Sequence, residues 1–207
     1  MADLKMKLSR SFTLGEFLRS GTAERNEEMR LQQLSPEIYD TEKDIIGNLS
    51  HLCTHTLQPI RDMFGVPLRI TSGYRSPLLN KAVGGSKTSQ HCFGMASDVQ
   101  LSSSFLTHPD TRKIRNKIQK RIINLTGKPI KPDVNANFYL FAYICLRRNK
   151  LDIDQVIHEY GEDKGMPAWV HIAASKVKNK REIVAMGNYI KDGKEKPDLV
   201  EALSYGV

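Results

Sequence analysis

The sequence predicts an α+β domain in which a small antiparallel sheet is covered on one side by helices. Three observations carry this. From Thr41 to Phe64 the apolar residues Ile45, Ile46, Leu49, Leu52, Cys53, Leu57, Ile60 and Phe64 recur at helical spacing. "IDQVIHEY" and "AWVHIAA" read as two strands joined by "GEDKGMP", a hairpin. "PLRITS" and "MASDVQL" read as two further short strands on either side of a glycine-rich loop. At 207 residues the chain suits one domain spanning 1–207, long enough for a proper core.

Each element has a local reason. Thr13 and Glu16 form a T-x-x-E capping box that opens a short helix, which Gly21 ends. Residues 22–40 are polar and read as irregular. Pro59 should kink the 41–64 helix, and Gly65 stops it. His51 and His55 lie four apart on it, but no Glu follows His51 to give H-E-x-x-H, so solvent or core roles rank ahead of ligation. Ser76 and Pro77 are a cap and a favoured first residue for the brief helix "PLLNKAV", which ends on Gly84 and Gly85. In "MASDVQL" the residues Ala96, Asp98 and Gln100 share one face.

Residues 102–134 read as an insertion. Within it Ile114, Ile118 and Ile122 mark an amphipathic helix whose cationic back reads first as a solvated face. "NANFYLFAYICLRR" is an apolar core helix, and "REIVAMGNYI" adds a strand. The charged tail from Lys191 holds one short helix in "PDLVEAL".

Composition narrows the function classes. Hydrophobic residues make up 40% and charged residues 26%, which is ordinary globular usage. A formal charge of +8 attracts polyanions: nucleic acid, anionic lipid or an acidic cell wall. Charge alone does not choose among them, but no zinc-finger or RNA-binding motif is present, so no nucleic acid is expected. No long apolar run suggests membrane insertion, and the N-terminus has no apolar core with a cleavage site, so it reads as carrying no signal peptide. The three cysteines, Cys53, Cys92 and Cys145, have no C-x-x-C pairing and read as buried free thiols.

The chemistry concentrates in "SGYRSPLLNKAVGGSKTSQHCFGMASDVQ" and the hairpin. If the hairpin loop is symmetric about Gly165, Glu159 faces His171 on one side of the sheet. His91, Asp98 and His171 would then offer two imidazoles and a carboxylate, the donor set of a catalytic zinc with one position left for water. Such a metal lowers the pKa of its water toward ~7, and Glu159 would act as general base. Arg75 could bind a substrate carboxylate or the developing oxyanion with its planar fork. His158 competes with Glu159 as base, but it alternates to the opposite face.

The stretch 72–98 closely resembles the S-G-Y-R-S-x-x-x-N-x-x-V-G-G-x-x-x-S-x-H-x-x-G-x-A-x-D signature of zinc D-alanyl-D-alanine carboxypeptidases and related peptidoglycan peptidases. That group includes many bacteriophage endolysins, and the hedgehog signalling domain shares its fold. "DQVIHEY…WVHIA" is similar to the second signature of the family, and "SFTLGEFLRSGTA" resembles the opening of one branch. The resemblance covers roughly 12–101 and 151–181.

It implies one zinc ion per chain on His91, Asp98 and His171, a substrate or transition-state Arg at Arg75, and an ordering Ser at Ser89. Gly84, Gly85 and Gly94 would let loops pass close to the site. Many members carry their base three residues before the last His, where this chain has Ala168; Glu159 stands in its place. The implied reaction is hydrolysis of a peptide bond in the peptidoglycan stem, as a D-Ala-D-Ala carboxypeptidase or an endopeptidase. The implied setting is a phage lysin held in the host cytoplasm until lysis, or a virion component, with the stem peptide and anionic cell-wall polymers as partners. Two readings compete: a non-catalytic zinc-stabilised virion or wall-binding module, and a nucleic-acid-associated protein using the cationic segment 111–131.

Overall fold

A computed structural model describes residues 1–40, 42–161, 163–190 and 192–207. Among the described residues six strands form one sheet: β1 Leu68–Ser72, β2 Ala96–Leu101, β3 Gln155–Glu159, β4 Trp169–Ala173, β5 Glu182–Met186 and β6 Lys194–Glu195. Their spatial order is β1-β2-β4-β3-β5-β6. Neighbours are antiparallel except β3 and β5, which run parallel. The parallel pair departs from the predicted pattern for a topological reason. β4 ends beside Gln155, the first residue of β3, and β5 starts beside that same residue on the other flank. The chain passes the start of β3 and runs back along it.

Strand alternation divides the sheet into two chemistries. Val99, Val156, His158, Val170 and Ile172 are buried on one face. Against that face lies the helix Ala136–Arg147, in which every residue from Ala136 to Cys145 is buried. A helix apolar all round has to be covered all round. Its remaining sides take the helices Arg112–Thr126 and Leu199–Leu203. Ile118 and Ile122 supply the buried stripe of the former, and Lys113, Lys117, Lys120 and Arg121 are exposed on its back. Among the described residues none of those four cations forms an ion pair. The predicted charged tail is no loose end: Ala202 and Leu203 are buried, behind a capping box formed by Asp198 and Glu201.

The long helical pattern becomes Ile45–Leu52, a π-helical turn Cys53–Leu57, and Gln58–Phe64. Pro59 lacks an N–H, and the wide turn just before it is how the run absorbs the missing bond. Asp44 caps the helix by accepting from the Gly47 amide. Thr41 and Lys191, where the sequence reading starts the helix and the tail, lie outside the described residues, as does Glu162 in the hairpin loop.

Residues 22–40 correct the sequence reading. They form a 3-10 turn Ala23–Arg25 and the helices Glu27–Gln33 and Pro36–Tyr39. The local signal was a cap: Asn26 accepts from the Met29 amide, with Glu27 and Glu28 in the first turn. No apolar period accompanies it. Among the described residues, no helix is long and apolar enough to cross a membrane.

His158 shows what burial on the core face costs. Its Nε2 lies 2.8 Å from the Lys164 carbonyl and its Nδ1 2.6 Å from the Tyr189 hydroxyl. A carbonyl only accepts, so Nε2 carries the proton and Tyr189 donates to Nδ1. Burial pushes the His158 pKa down to about 4. The unfolded chain therefore takes up this proton first on acidification. Stability from this residue is full above about pH 6.5 and declines by about 3 kcal/mol on the way to pH 4. Denaturant unfolding across that window should show the decline, and His158→Gln should flatten it. Parallel curves for the two proteins would disprove the assignment.

Candidate metal centre

Asp98 on β2 and His171 on β4 are directly paired across the two strands, on the face opposite the core helix. His91 reaches them from a 3-10 turn, Gln90–Phe93, that follows the glycine-rich loop. Three donor atoms meet there. His91 Nε2 is 3.2 Å from Asp98 Oδ1, His171 Nδ1 is 3.1 Å from the same oxygen, and the two ring nitrogens are 3.1 Å apart. Among the described residues this is the one cluster of three His, Cys, Asp or Glu donors close enough to share an ion.

The triangle fits a metal. Tetrahedral bonds of ~2.0–2.1 Å to nitrogen and oxygen place neighbouring ligands about 3.3 Å apart. The tautomer of His91 fits as well: its Nδ1 is 2.6 Å from the Gly73 carbonyl, so Nδ1 carries a proton and donates there, and Nε2 faces the centre. Among the described residues, His171 Nε2 is buried without a hydrogen-bond partner. The fourth side opens on a cleft of about 1090 Å³, which Arg75, Glu159, Tyr160 and Trp169 also line.

The loop from Ser72 to Ser76 orients two of the three donors. A bulge at Thr71 makes Ser72, one residue out of step, the partner of Asp98. Ser72 Oγ accepts from Arg75 Nε at 3.0 Å, and Arg75 Nη2 donates to Asp98 Oδ2 at 2.7 Å. Arg75 thus sits behind the carboxylate, with its remaining donors available to the cleft it lines. Burial would raise the Asp98 pKa, but the His91 and His171 rings outweigh burial and hold the carboxyl well below the usual range. Gly73, whose carbonyl steers His91, is a close-approach position: a Cβ there would lie 2.5 Å from the Phe17 backbone.

Glu159 lies in the same cleft, through a register that differs from the symmetric hairpin. It pairs with Trp169, and His171 pairs with Ile157. The loop centres one residue earlier than Gly165, which shifts the pairing by two residues. Because the side-chain period is two, Glu159 and His171 still share a face, as diagonal neighbours. The Trp169 indole N–H donates to Glu159 Oε2. Burial, and after it the Asp98 charge, pushes the Glu159 pKa up; His171 and the Trp169 hydrogen bond partly offset this. His158 projects to the core face, as its alternation implies.

Ser89 lies just before the His91 turn and lines the cleft, and its carbonyl accepts from the Cys92 amide. Gly94 adopts φ +65°, and a Cβ there would meet the Ile45 carbonyl at 2.6 Å. Gly85 packs on Asn80, whose Nδ2 donates to the carbonyls of Gly85 and Ser86. His51 and His55 lie outside the cleft; His51 Nε2 is 3.5 Å from Asp152. Cys53, Cys92 and Cys145 are buried free thiols. Sequence reasoning missed the partners of the chemical groups. Ser72, Gly73 and Trp169 stand inside the motifs, but nothing local says which side chain each one holds.

A family model described as Peptidase M15 matches residues 15–119, just over half of the chain. The chain belongs to the Peptidase M15 family. Among curated proteins nothing matches. M15 membership makes this a metallopeptidase chain, and peptidases of the family depend on zinc, which a His-Asp-His site of this kind can bind. The matched span holds Arg75, Ser89, His91 and Asp98 and stops before Glu159 and His171. It also runs into the helix Arg112–Thr126, beyond where the motif resemblance ends.

Gly73→Ala tests the packing behind the triangle. The new methyl collides with backbone that cannot rotate away, so the loop must shift and His91 loses its steering carbonyl. Zinc affinity should fall about 10–100-fold. Competition against a chromophoric chelator checks it, and an unchanged affinity would count against the role of that carbonyl.

Proposed function

We propose that this M15 chain hydrolyses a peptide bond of the peptidoglycan stem, as a D-Ala-D-Ala carboxypeptidase or endopeptidase of the phage-lysin type, in a single domain spanning 1–207. One observation supports it above the others: three donors at 3.1–3.2 Å from one another, open to a cleft beside a half-buried carboxylate. In this reading His91 Nε2, Asp98 Oδ1 and His171 Nδ1 hold one zinc ion. Bound there, zinc supplies Lewis acidity, making water acidic enough to lose a proton near neutrality and drawing electron density from a carbonyl.

The chain's own residues do the rest. Glu159 accepts the water proton and later delivers it to the leaving amine nitrogen, a role its raised pKa suits. Trp169 holds Oε2 of that carboxylate in place. Arg75, already fixed by Ser72 and Asp98, turns its remaining N–H groups toward the substrate carbonyl or carboxylate. Ser89 orders the approach to His91. The exposed cations of the Arg112–Thr126 helix favour an anionic wall as the surface on which the enzyme works. Release at host lysis, or carriage on a virion, suits such an enzyme.

Mass spectrometry of purified peptidoglycan digested with and without a chelator tests the reading. Fragments of one defined bond should appear, and chelation should suppress them. Glu159→Ala should lower turnover by about 10²–10⁴-fold and keep about one equivalent of zinc. A wild-type protein that binds zinc and releases nothing would favour a scaffold role instead.

Trp169→Phe removes a hydrogen bond that lowers the Glu159 pKa, so the acid limb of the pH–rate profile should move to higher pH. A limb that stays put would remove Glu159 as the group that titrates. Wall binding through the cationic helix should weaken steeply between low and physiological salt. Salt-independent sedimentation with walls would exclude that attachment.

A further inference from the structure

We infer that Gln33, on the helix Glu27–Gln33 remote in sequence from every donor, is a positioning residue that sets the affinity of the metal centre by clamping the loop behind it. The inference rests on the His91, Asp98 and His171 centre proposed above. Gln33 is 1% exposed. Its Nε2 donates to the Leu18 carbonyl at 3.1 Å and to the Tyr74 carbonyl at 2.6 Å, and its Oε1 accepts from the Ser76 amide at 2.9 Å. Two of these partners can only accept and the third can only donate, so the amide has one orientation.

The two bonds to Tyr74 and Ser76 bracket Arg75. The Arg75 amide in turn donates to the His91 carbonyl at 3.2 Å. The backbone of Arg75 is therefore held from both sides by one side chain and tied to the turn that carries His91. Its guanidinium holds Asp98 Oδ2, and the same loop offers the Gly73 carbonyl to His91. The third bond of Gln33, to Leu18, ties this loop to the helix Leu14–Leu18, whose Phe17 backbone closes against Gly73. A buried amide with both N–H groups and its oxygen committed to three backbone groups is a costly arrangement to leave half-made. Groups that orient metal ligands from behind typically change affinity 10–100-fold when lost.

Gln33→Met keeps length and bulk and removes all three hydrogen bonds. Gln33→Glu keeps the acceptor for Ser76 but turns a carboxylate oxygen against the Leu18 and Tyr74 carbonyls, which only accept. Zinc affinity, measured by chelator competition well below the melting temperature, should fall about 10–100-fold in both Gln33→Met and Gln33→Glu. The visible absorption of the cobalt-substituted protein should change in both variants. Ile118→Val, in the distant helix Arg112–Thr126, serves as a control that lowers stability without touching the loop.

Affinity and spectrum unchanged in Gln33→Met, with only the melting temperature lowered, would reduce Gln33 to a packing role and overturn the inference. If Gln33→Met does not fold, Gln33→Glu and the Gln33 side-chain amide protons of the wild type carry the test. Those protons should exchange slowly in the metal-free protein, and free exchange would overturn the clamp. A wild type that binds no zinc would instead refute the metal centre, and the same proton exchange would still decide the clamp.

Discussion

A carboxylate buried on a sheet face has to be compensated, and much of the cleft's construction follows from doing so for Asp98. The residue is 4% exposed. Removing such a charge from water is expensive unless partners with good geometry replace the lost hydration. Oδ2 receives the Arg75 guanidinium, and Oδ1 faces two imidazoles. Each partner then needs support of its own. The bulge at Thr71 turns Ser72 toward Arg75, and the glycine at position 73 lets the loop sit against the Phe17 backbone while its carbonyl steers His91. The arrangement is a chain of local necessities that starts at one charged oxygen pair.

The hairpin shows how little separates structural from chemical roles. His158 and Glu159 are neighbours, yet strand alternation sends them to opposite faces. His158 enters the core between Phe141 and Tyr205, is held neutral by burial, and spends both ring nitrogens on Lys164 and Tyr189. Glu159 enters the cleft, where burial and the Asp98 charge make it a better proton acceptor than an ordinary glutamate. The same desolvation, applied to a base and to an acid, shifts the two pKa values in opposite directions. That contrast supports Glu159 over His158 as the proton carrier in an M15 peptidase whose position 168 is an alanine.

The layers behind the sheet separate the cleft from the cationic surface. The cleft occupies one face, the apolar helix Ala136–Arg147 covers the other, and the cationic helix lies outside that. Fields from its exposed lysines and arginines fade over about 8 Å at physiological salt, so they act on surfaces the helix touches and little on the metal centre. The family match runs across the first part of this helix.

Much was legible in the sequence because it depends on short-range rules. The α+β class, the helix around 45–64, the Ser76 cap and the hairpin all follow from periodicity and capping. The convergence of His91, Asp98 and His171 was anticipated by motif and by strand face, and a two-residue register slip left the face of Glu159 unchanged. Only the tertiary structure decided which residue Glu159 pairs with, that β5 runs parallel to β3, and that Arg75 stands behind Asp98. It also turned residues 22–40 from an apparently irregular stretch into the helix that supplies Gln33. Tyr74 and Ser76 lie more than forty positions from Gln33, and a hydrogen bond across that distance leaves no periodic or capping trace in the chain. Local patterns record what a residue does to its neighbours in sequence; the contacts that orient the His91, Asp98 and His171 cluster are made between segments that meet only once the chain has folded.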